Sequence, residues 1–130
     1  MNRLDERESP VPSPRAETGD WFLNRFGVHT RLMALPGQQG SLVDLLLRVA
    51  ERLGGSPGCY LYLVSVSPVE PEVVWVTEAW RNRAQHEAAL ALAEVGDLLD
   101  QARRFIAQVG HPALMVPVGG TNLTTRRSAA

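Results

Sequence analysis

Hydrophobic positions along this chain follow a strand period in some stretches and a helical period in others. The stretch 26–35, FGVHTRLMAL, has β-type content and ends at a Pro-Gly turn pair. Ser41 then offers an N-cap for a helix. The apolar residues that follow recur at helical spacing and predict an amphipathic helix: Leu42, Leu45, Leu46, Val49 and Leu53. A Gly-Gly pair marks the expected end of that helix.

The second half of the chain contains a predicted hairpin followed by a broken helix. Residues 59–66 and 73–80 are apolar stretches joined by a Pro-containing turn, which predicts two antiparallel strands. A helical region begins near Ala84 and is expected to break at Gly96, where Asp97 would cap its second part. That second part carries an apolar stripe at helical spacing: Leu98, Ala102, Phe105, Ile106 and Val109.

A last strand is predicted over 112–118, PALMVPV, whose two prolines suit a sheet edge. The resulting order, β-α-β-β-α-β, predicts an α+β ferredoxin-like fold, with four strands in one antiparallel sheet and both helical regions on one face. We therefore expect a domain over 24–118 between two tails, 1–23 and 119–130. The N-terminal tail alternates charges with Pro and Ser, which predicts disorder because little apolar area can be buried.

The strand patterns also predict a partner. In the third strand Val74 and Val76 lie on one face, while Val73 and Trp75 lie on the other. Two helical regions can cover only one face of a sheet, so the second apolar face must be buried elsewhere. A second copy of the same sheet is the simplest cover, and we expect a homodimer formed through the open sheet face.

Composition excludes several classes of function. The 13 basic residues, all arginine, balance 14 acidic ones, which argues against a nucleic-acid partner. Cys59 is the only cysteine, so the chain forms no internal disulfide, and no Cys/His cluster has the spacing of metal ligands. No apolar stretch is long enough to span a membrane, and no secretory signal is visible, which together indicate the cytoplasm.

The strand 73–80 carries a carboxylate near its end. Period-two counting puts Val76, Glu78 and Trp80 on one face. An ionised carboxylate beside an indole in an apolar setting is disfavoured, so its pKa is tuned and Glu78 is a candidate general base. His86 lies near the start of the following helix, where it could close the same site and serve as an alternative base.

The first and second strands offer further candidates for substrate binding. His29, Arg31 and Met33 share one face of the first strand. If that face is the one that carries Glu78, these side chains form a cluster under the helices, with Arg31 holding an anion and Met33 forming an apolar wall. Tyr62 would add a hydroxyl from the second strand, and Val76 is a further substrate-binding candidate on the face of Glu78.

Each of these candidates also has an ordinary structural interpretation. Glu78 and Arg31 could form an ion pair at a sheet edge, and Trp80 could simply be core. His86 could be an exposed residue of the first helical turn, and His29 an ordinary strand histidine. Tyrosines such as Tyr60 and Tyr62 of the second strand more often pack in a dimer interface than offer hydroxyls to a pocket.

Four segments in order, LPGQQGSLVDLL, SPGCYLYLV, VVWVTEAW and RAQH, resemble the antibiotic biosynthesis monooxygenase family over roughly residues 26–118. The resemblance implies a dimeric α/β barrel. Members include oxygenases that need no metal, flavin or haem and act on polyketide anthrones or quinols. Other members degrade haem, and some are isomerases or have no known activity. The resemblance therefore implies no cofactor, and a small aromatic substrate together with dioxygen.

The site residues of the family carry over only in part. Trp80 falls on the tryptophan that lines the pocket of anthrone oxygenases, but Val76 stands where those enzymes have an asparagine. The positions that the haem-degrading members use are here Arg31, Ala89 and Leu90, which argues against haem cleavage. Three hypotheses follow: a cofactor-independent monooxygenase, a non-catalytic dimeric module that binds a small ligand, and an isomerase or cyclase that uses the same pocket.

Overall fold

The computed structural model describes residues 23–121. Its elements in chain order are β1 (Phe26–Ala34), α1 (Gln39–Leu53), β2 (Cys59–Val66), β3 (Val73–Trp80), α2 (Arg83–Leu90), α3 (Ala93–Arg103), β4 (Ile106–Val109) and β5 (Ala113–Met115). All strand pairs are antiparallel, in the order β2-β3-β1-β4, and β5 also pairs with β1. The α+β ferredoxin-like prediction is confirmed.

The last strand of the sheet is broken into two pieces that follow each other along the same edge of β1. Leu32 pairs with Val109 of β4, and Val28 pairs with Leu114 of β5. Between the two pieces, Gly110 donates its backbone N–H to Arg31 O at 2.8 Å. A Cβ at Gly110 would lie 3.1 Å from that oxygen, a tight contact, so the close approach favours glycine. The five strands thus occupy the four positions that the sequence predicted.

The first helix begins at Gln39, and its N-cap lies three residues before the predicted one, Ser41. Gln38 is the capping residue, and it makes no side-chain hydrogen bond to the helix. The Gln39 side chain instead donates to Val73 O at 3.0 Å, which anchors the first turn on β3. Ser41 therefore lies inside α1. The predicted apolar stripe is confirmed, because all of its members are buried: Leu42, Leu45, Leu46, Val49 and Leu53.

The break in the second helical region lies before Gly96. Asn82 caps α2 by accepting the Gln85 N–H at 2.8 Å, and α2 ends at Leu90. Leu92 is extended, and α3 begins at Ala93, so Gly96 and Asp97 lie inside a helix. A glycine inside a helix costs only about 1 kcal/mol relative to alanine, which the burial of α3 side chains offsets.

The helical stripe predicted through Ile106 and Val109 is wrong at its end. The helix α3 ends at Arg103, and Leu35 donates its N–H to Phe105 O at 2.8 Å. This bond brings the following residues to the edge of β1, where they pair as β4. The strand predicted over 112–118 is correspondingly shorter. Tertiary pairing overrides the helical spacing here.

The helices cover one face of the sheet and leave the other open. Two adjoining clusters of buried residues pack beneath the helices, one around Leu42 and Val76 and the other around Val49 and Trp80. On the open face Leu61 and Leu63 of β2 are 41% and 49% exposed. Polar side chains interrupt these apolar ones, so the open face is less uniformly apolar than predicted.

The predicted tails, 1–23 and 119–130, fall almost entirely outside the described residues. Of the part of the chain that is described, no helix combines the length and the apolar character needed to cross a membrane.

Candidate functional site

A cleft of about 200 Å³ lies between the covered face of the sheet and the helices. Strands β1, β2, β3 and β4 form one side of it, and α1 and α3 form the other. Its lining is mostly aliphatic and consists of Thr30, Leu32, Leu46, Tyr62, Val76, Glu78, Leu99, Ala102, Arg103, Ile106 and Val109. Three of the predicted site residues, Tyr62, Val76 and Glu78, are therefore brought together in one cavity.

The carboxylate of Glu78 reaches this cleft because of strand register. Glu78 pairs with Val28 on one side and with Tyr62 on the other. Directly opposed residues of antiparallel strands point to the same face, so all three lie under the helices. Only 12% of the Glu78 side chain is exposed. The cleft therefore holds a largely desolvated carboxylate on a central strand of the sheet.

Trp80 orients this carboxylate from behind the cleft. Its Nε1–H donates to Glu78 Oε1 at 3.0 Å, two residues along the same face. The indole is fully buried, in a cluster with Val49 and Val95. Trp80 is thus both a core residue and a hydrogen-bond donor to the acid, so the two interpretations offered by the sequence apply together.

His86 approaches the same carboxylate oxygen from α2. Its Nε2 lies 3.6 Å from Glu78 Oε1, slightly beyond hydrogen-bond length, and 15% of its side chain is exposed. The imidazole packs edge-on against Trp80 at 5.4 Å and beside Phe26 at 4.8 Å, measured between ring centroids. His86 is therefore not an exposed residue of the first helical turn.

The imidazole has one nitrogen without a partner. Nδ1 of His86 is buried and makes no hydrogen bond within the described residues. An unpaired N–H at that position would be costly, because buried donors are nearly always satisfied. The favoured neutral tautomer therefore carries its proton on Nε2, which faces Glu78.

Burial shifts the pKa values of the polar groups around the cleft toward their neutral forms. It raises the pKa of Glu78, and the hydrogen bond from Trp80 partly counteracts that rise. Burial, with the Glu78 charge adding to it, raises the pKa of Tyr62, so its hydroxyl stays protonated at neutral pH. Burial lowers the pKa of His86. The arrangement offers a carboxylate base, a phenolic donor and a neutral imidazole.

The first-strand candidates lie on the opposite face of the sheet. His29 pairs with Thr77, Arg31 with Trp75, and Met33 with Val73, whereas Glu78 pairs with Val28. The predicted cluster of these side chains with Glu78 under the helices is therefore wrong. The strand register instead turns the alternate residues of β1 toward the helices. Two of these, Thr30 and Leu32, line the cleft.

Arg31 does not pair with Glu78. Its Nη2 donates to Glu70 Oε2 at 3.3 Å on the open face, and its guanidinium lies 6.0 Å from the Trp75 ring. His29 stacks on the same indole at 4.9 Å, and its Nδ1 lies 2.8 Å from Thr77 Oγ1. These contacts give the open face an aromatic and polar patch separate from the cleft.

Several cleft residues carry no signal in the sequence that marks them as part of a site. Arg103 lies in the last turn of α3, and its guanidinium donates to Asp100, while the side chain is 68% exposed. A basic residue at a helix C-terminus is common enough that nothing marked it as part of a site. Within residues 23–121, no three His, Cys, Asp or Glu side chains stand close enough together to hold a metal ion.

Comparisons with known proteins agree with this architecture. Residues 25–106 match the sequence profile of the antibiotic biosynthesis monooxygenase family. The fold is similar to a protein of Chloroflexus aurantiacus assigned as an antibiotic biosynthesis monooxygenase, at 34% identity and a TM-score of 0.68, over 74% of this chain and 95% of that one. No curated protein matches the chain in sequence.

More distant structures share the fold alone. One is a Nitrosomonas europaea protein assigned to the same group, at 12% identity and a TM-score of 0.68, over 73% of this chain and 91% of that one. Another is a Mycobacterium tuberculosis protein at 18% identity and a TM-score of 0.64, over 74% of this chain and 97% of that one.

Proposed function

Because the chain belongs to the antibiotic biosynthesis monooxygenase family, we propose that it is a cofactor-independent monooxygenase acting on a quinol or anthrone-like aromatic substrate. Family membership by itself supports a monooxygenase or small-molecule-binding function. The observation that carries the finer proposal is Glu78, a buried carboxylate with a raised pKa that lines an otherwise aliphatic cleft. Such a group is suited to taking a proton from a weakly acidic hydroxyl at neutral pH.

The chemistry needs a base and a dry cavity. Glu78 takes the hydroxyl proton, and the electron-rich anion passes one electron to dioxygen. The substrate radical and superoxide then combine into a carbon–oxygen bond, and the resulting peroxide takes up a proton. The O–O bond then breaks, and the departing hydroxyl takes the hydrogen from the same carbon and leaves as water, so that a carbonyl remains there. One oxygen atom of dioxygen enters the product and the other leaves as water.

Three side chains have distinct roles in this scheme. Trp80 holds the carboxylate in place and stabilises its charge through the Nε1–H bond. Tyr62, opposite Glu78 on β2, offers a protonated hydroxyl to the developing peroxide. His86 lies on the far side of the carboxylate and is not among the cleft lining, so it acts through Glu78 rather than on the substrate.

The volume of the cleft favours a small substrate. Sites for drug-sized ligands typically enclose about 300–1,000 Å³. The cleft here encloses about 200 Å³. A quinol of one or two rings is therefore favoured over a tricyclic anthrone.

Oxygen consumption tests the proposal directly. With 1,4-naphthohydroquinone we expect uptake above the rate of autoxidation, and we expect Glu78→Gln to lower kcat/KM about 10²–10⁴-fold. Glu94→Gln is the matched control, because Glu94 lies exposed on α3, outside the cleft, where it pairs with Arg52. Substrate conversion without oxygen uptake would favour an isomerase, and binding without conversion would favour a ligand-binding module.

We also propose a homodimer in the cytoplasm. Proteins of this family are typically dimeric. The partly exposed leucines and the Trp75 patch of the open face support packing of that face on a second copy. Light scattering tests this: Leu63→Glu should shift the mass from dimer to monomer, and a wild-type monomer at micromolar concentration would contradict the proposal.

A further inference from the structure

The polar groups of the cleft lie in two separate places. Glu78 and Tyr62 stand on neighbouring strands at the floor, and only 12% of the Glu78 side chain is exposed. Arg103 lies in the last turn of α3, and its side chain reaches solvent. The chain runs from there into Ile106, which pairs with Ala34, whereas Glu78 pairs with Val28 toward the opposite end of β1. Apart from Thr30, the remaining lining residues are aliphatic. The cleft thus has a carboxylate at its floor, an aliphatic body and a guanidinium at its mouth.

Arg103 retains capacity to bind a ligand. Its Nη1 donates to Asp100, one helical turn earlier. A guanidinium carries five N–H donors in a planar fork, so a single carboxylate partner leaves donors available. The fork also matches a carboxylate in two-point geometry, which makes arginine the residue best suited to recognising that group.

The two charges determine where an anion can sit. A ligand carboxylate beside Glu78 would be repelled, whereas one that reaches the N–H groups of Arg103 left available by Asp100 would be attracted. We propose that the substrate is an aromatic hydroxy acid, whose hydroxyl faces Glu78 and whose carboxylate is bound by Arg103 at the mouth of the cleft. This inference rests on the proposed function, because it deepens the description of the same site, and it makes Arg103 the residue that determines specificity.

Binding of two matched probes tests the inference without turnover. 6-Hydroxy-2-naphthoate and 2-naphthol share a two-ring body and a hydroxyl, and they differ in the carboxylate. By calorimetry at pH 7 and low salt, the wild-type protein should bind the carboxylate probe about tenfold more tightly, which corresponds to about 1.4 kcal/mol. Arg103→Gln should abolish that preference.

Two further variants sharpen the test. Arg104→Gln is the matched control, since Arg104 is the next residue and exposed but does not line the cleft, and it should keep the preference. Asp100→Asn frees the guanidinium and should strengthen binding of 6-hydroxy-2-naphthoate, leaving 2-naphthol unchanged. Because both Asp100 and Arg103 are exposed, these substitutions should leave the circular dichroism spectrum unaltered.

The outcomes separate this inference from the proposed oxygenase activity. Equal binding of the two probes by the wild-type protein, or a preference that survives in Arg103→Gln, would overturn the role of Arg103. A protein that prefers the carboxylate probe but consumes no oxygen would refute the oxygenase and leave the anion site standing. An oxygenase without the preference would refute only the anion site.

Discussion

The hydrogen bond from Trp80 to Glu78 makes a quantitative prediction for Trp80→Phe. Phenylalanine keeps an aromatic ring in the buried position but removes the Nε1–H that donates to Oε1 at 3.0 Å. A hydrogen bond to a charged group contributes about 1.5–3 kcal/mol. Since one pKa unit corresponds to about 1.4 kcal/mol, losing the bond should raise the pKa of Glu78 by about one to two units.

Two measurements check this shift. The acid limb of the pH profile of kcat/KM, which reports the free protein, should move to higher pH in Trp80→Phe. The ¹³C chemical shift of the Glu78 carboxyl, followed by NMR across the same pH range, reports the same titration without any turnover. Agreement between the two would identify Glu78 as the base.

Trp75→Phe is the matched control for this experiment. It makes the same substitution on the same strand, but Trp75 lies on the open face, stacked on His29. We expect no change in the Glu78 titration there. An unchanged or lowered pKa in Trp80→Phe, or an equal shift in Trp75→Phe, would refute the reasoning.

Three predictions concern stability. Glu78→Gln should stabilise the fold increasingly as pH rises. Because the pKa of Glu78 is raised in the native state, ionisation above the ordinary carboxyl pKa of about 4.3 destabilises that state, and glutamine removes this cost. Urea unfolding at pH 4 and pH 8 measures the effect, and equal effects at both pH values would contradict the prediction. Leu53→Ala should lower the free energy of unfolding by about 2–5 kcal/mol, because Leu53 is fully buried. Leu47→Ala, at an exposed position of the same helix, should lower it by under about 0.5 kcal/mol in the same unfolding measurement. Gly58→Ala should lower Tm, because Gly58 has a positive φ of 82° and no room for a side chain. Gly40→Ala should raise Tm, because Gly40 lies in open space within α1. A Tm raised by Gly58→Ala would be inconsistent with backbone strain at that position.

The fold was largely predictable because its apolar periodicities are clean. The apolar stripe of α1 and the hairpin of β2 and β3 follow from the local spacing of apolar residues, which can be read directly from the sequence. The break at Leu92 has no comparable signal, because the residue is an ordinary helix former. The spacing of Ile106 predicts a helical residue, and only its pairing with β1 makes it a strand residue.

The site was predictable within one strand but not between strands. The sequence correctly predicts that Glu78 and Trp80 are neighbours on one face, because alternate residues of any β-strand point to the same side. Whether His29 or Val28 joins them depends on register, and a shift of one residue exchanges the two faces. Arg103 lies at the end of a helix, and it lines the cleft only because of how that helix packs against the sheet. The sequence contains no signal for this packing.

The position of Glu78 on β3 has a consequence for how a ligand reaches the cleft. Strand β3 is hydrogen-bonded on both sides, to β1 and to β2, so the backbone beneath the carboxylate opens only when the sheet itself comes apart. The floor of the cleft therefore cannot move aside. A ligand therefore passes at the perimeter, where α3 meets the interrupted edge strand. Amide exchange should be faster there than at β3.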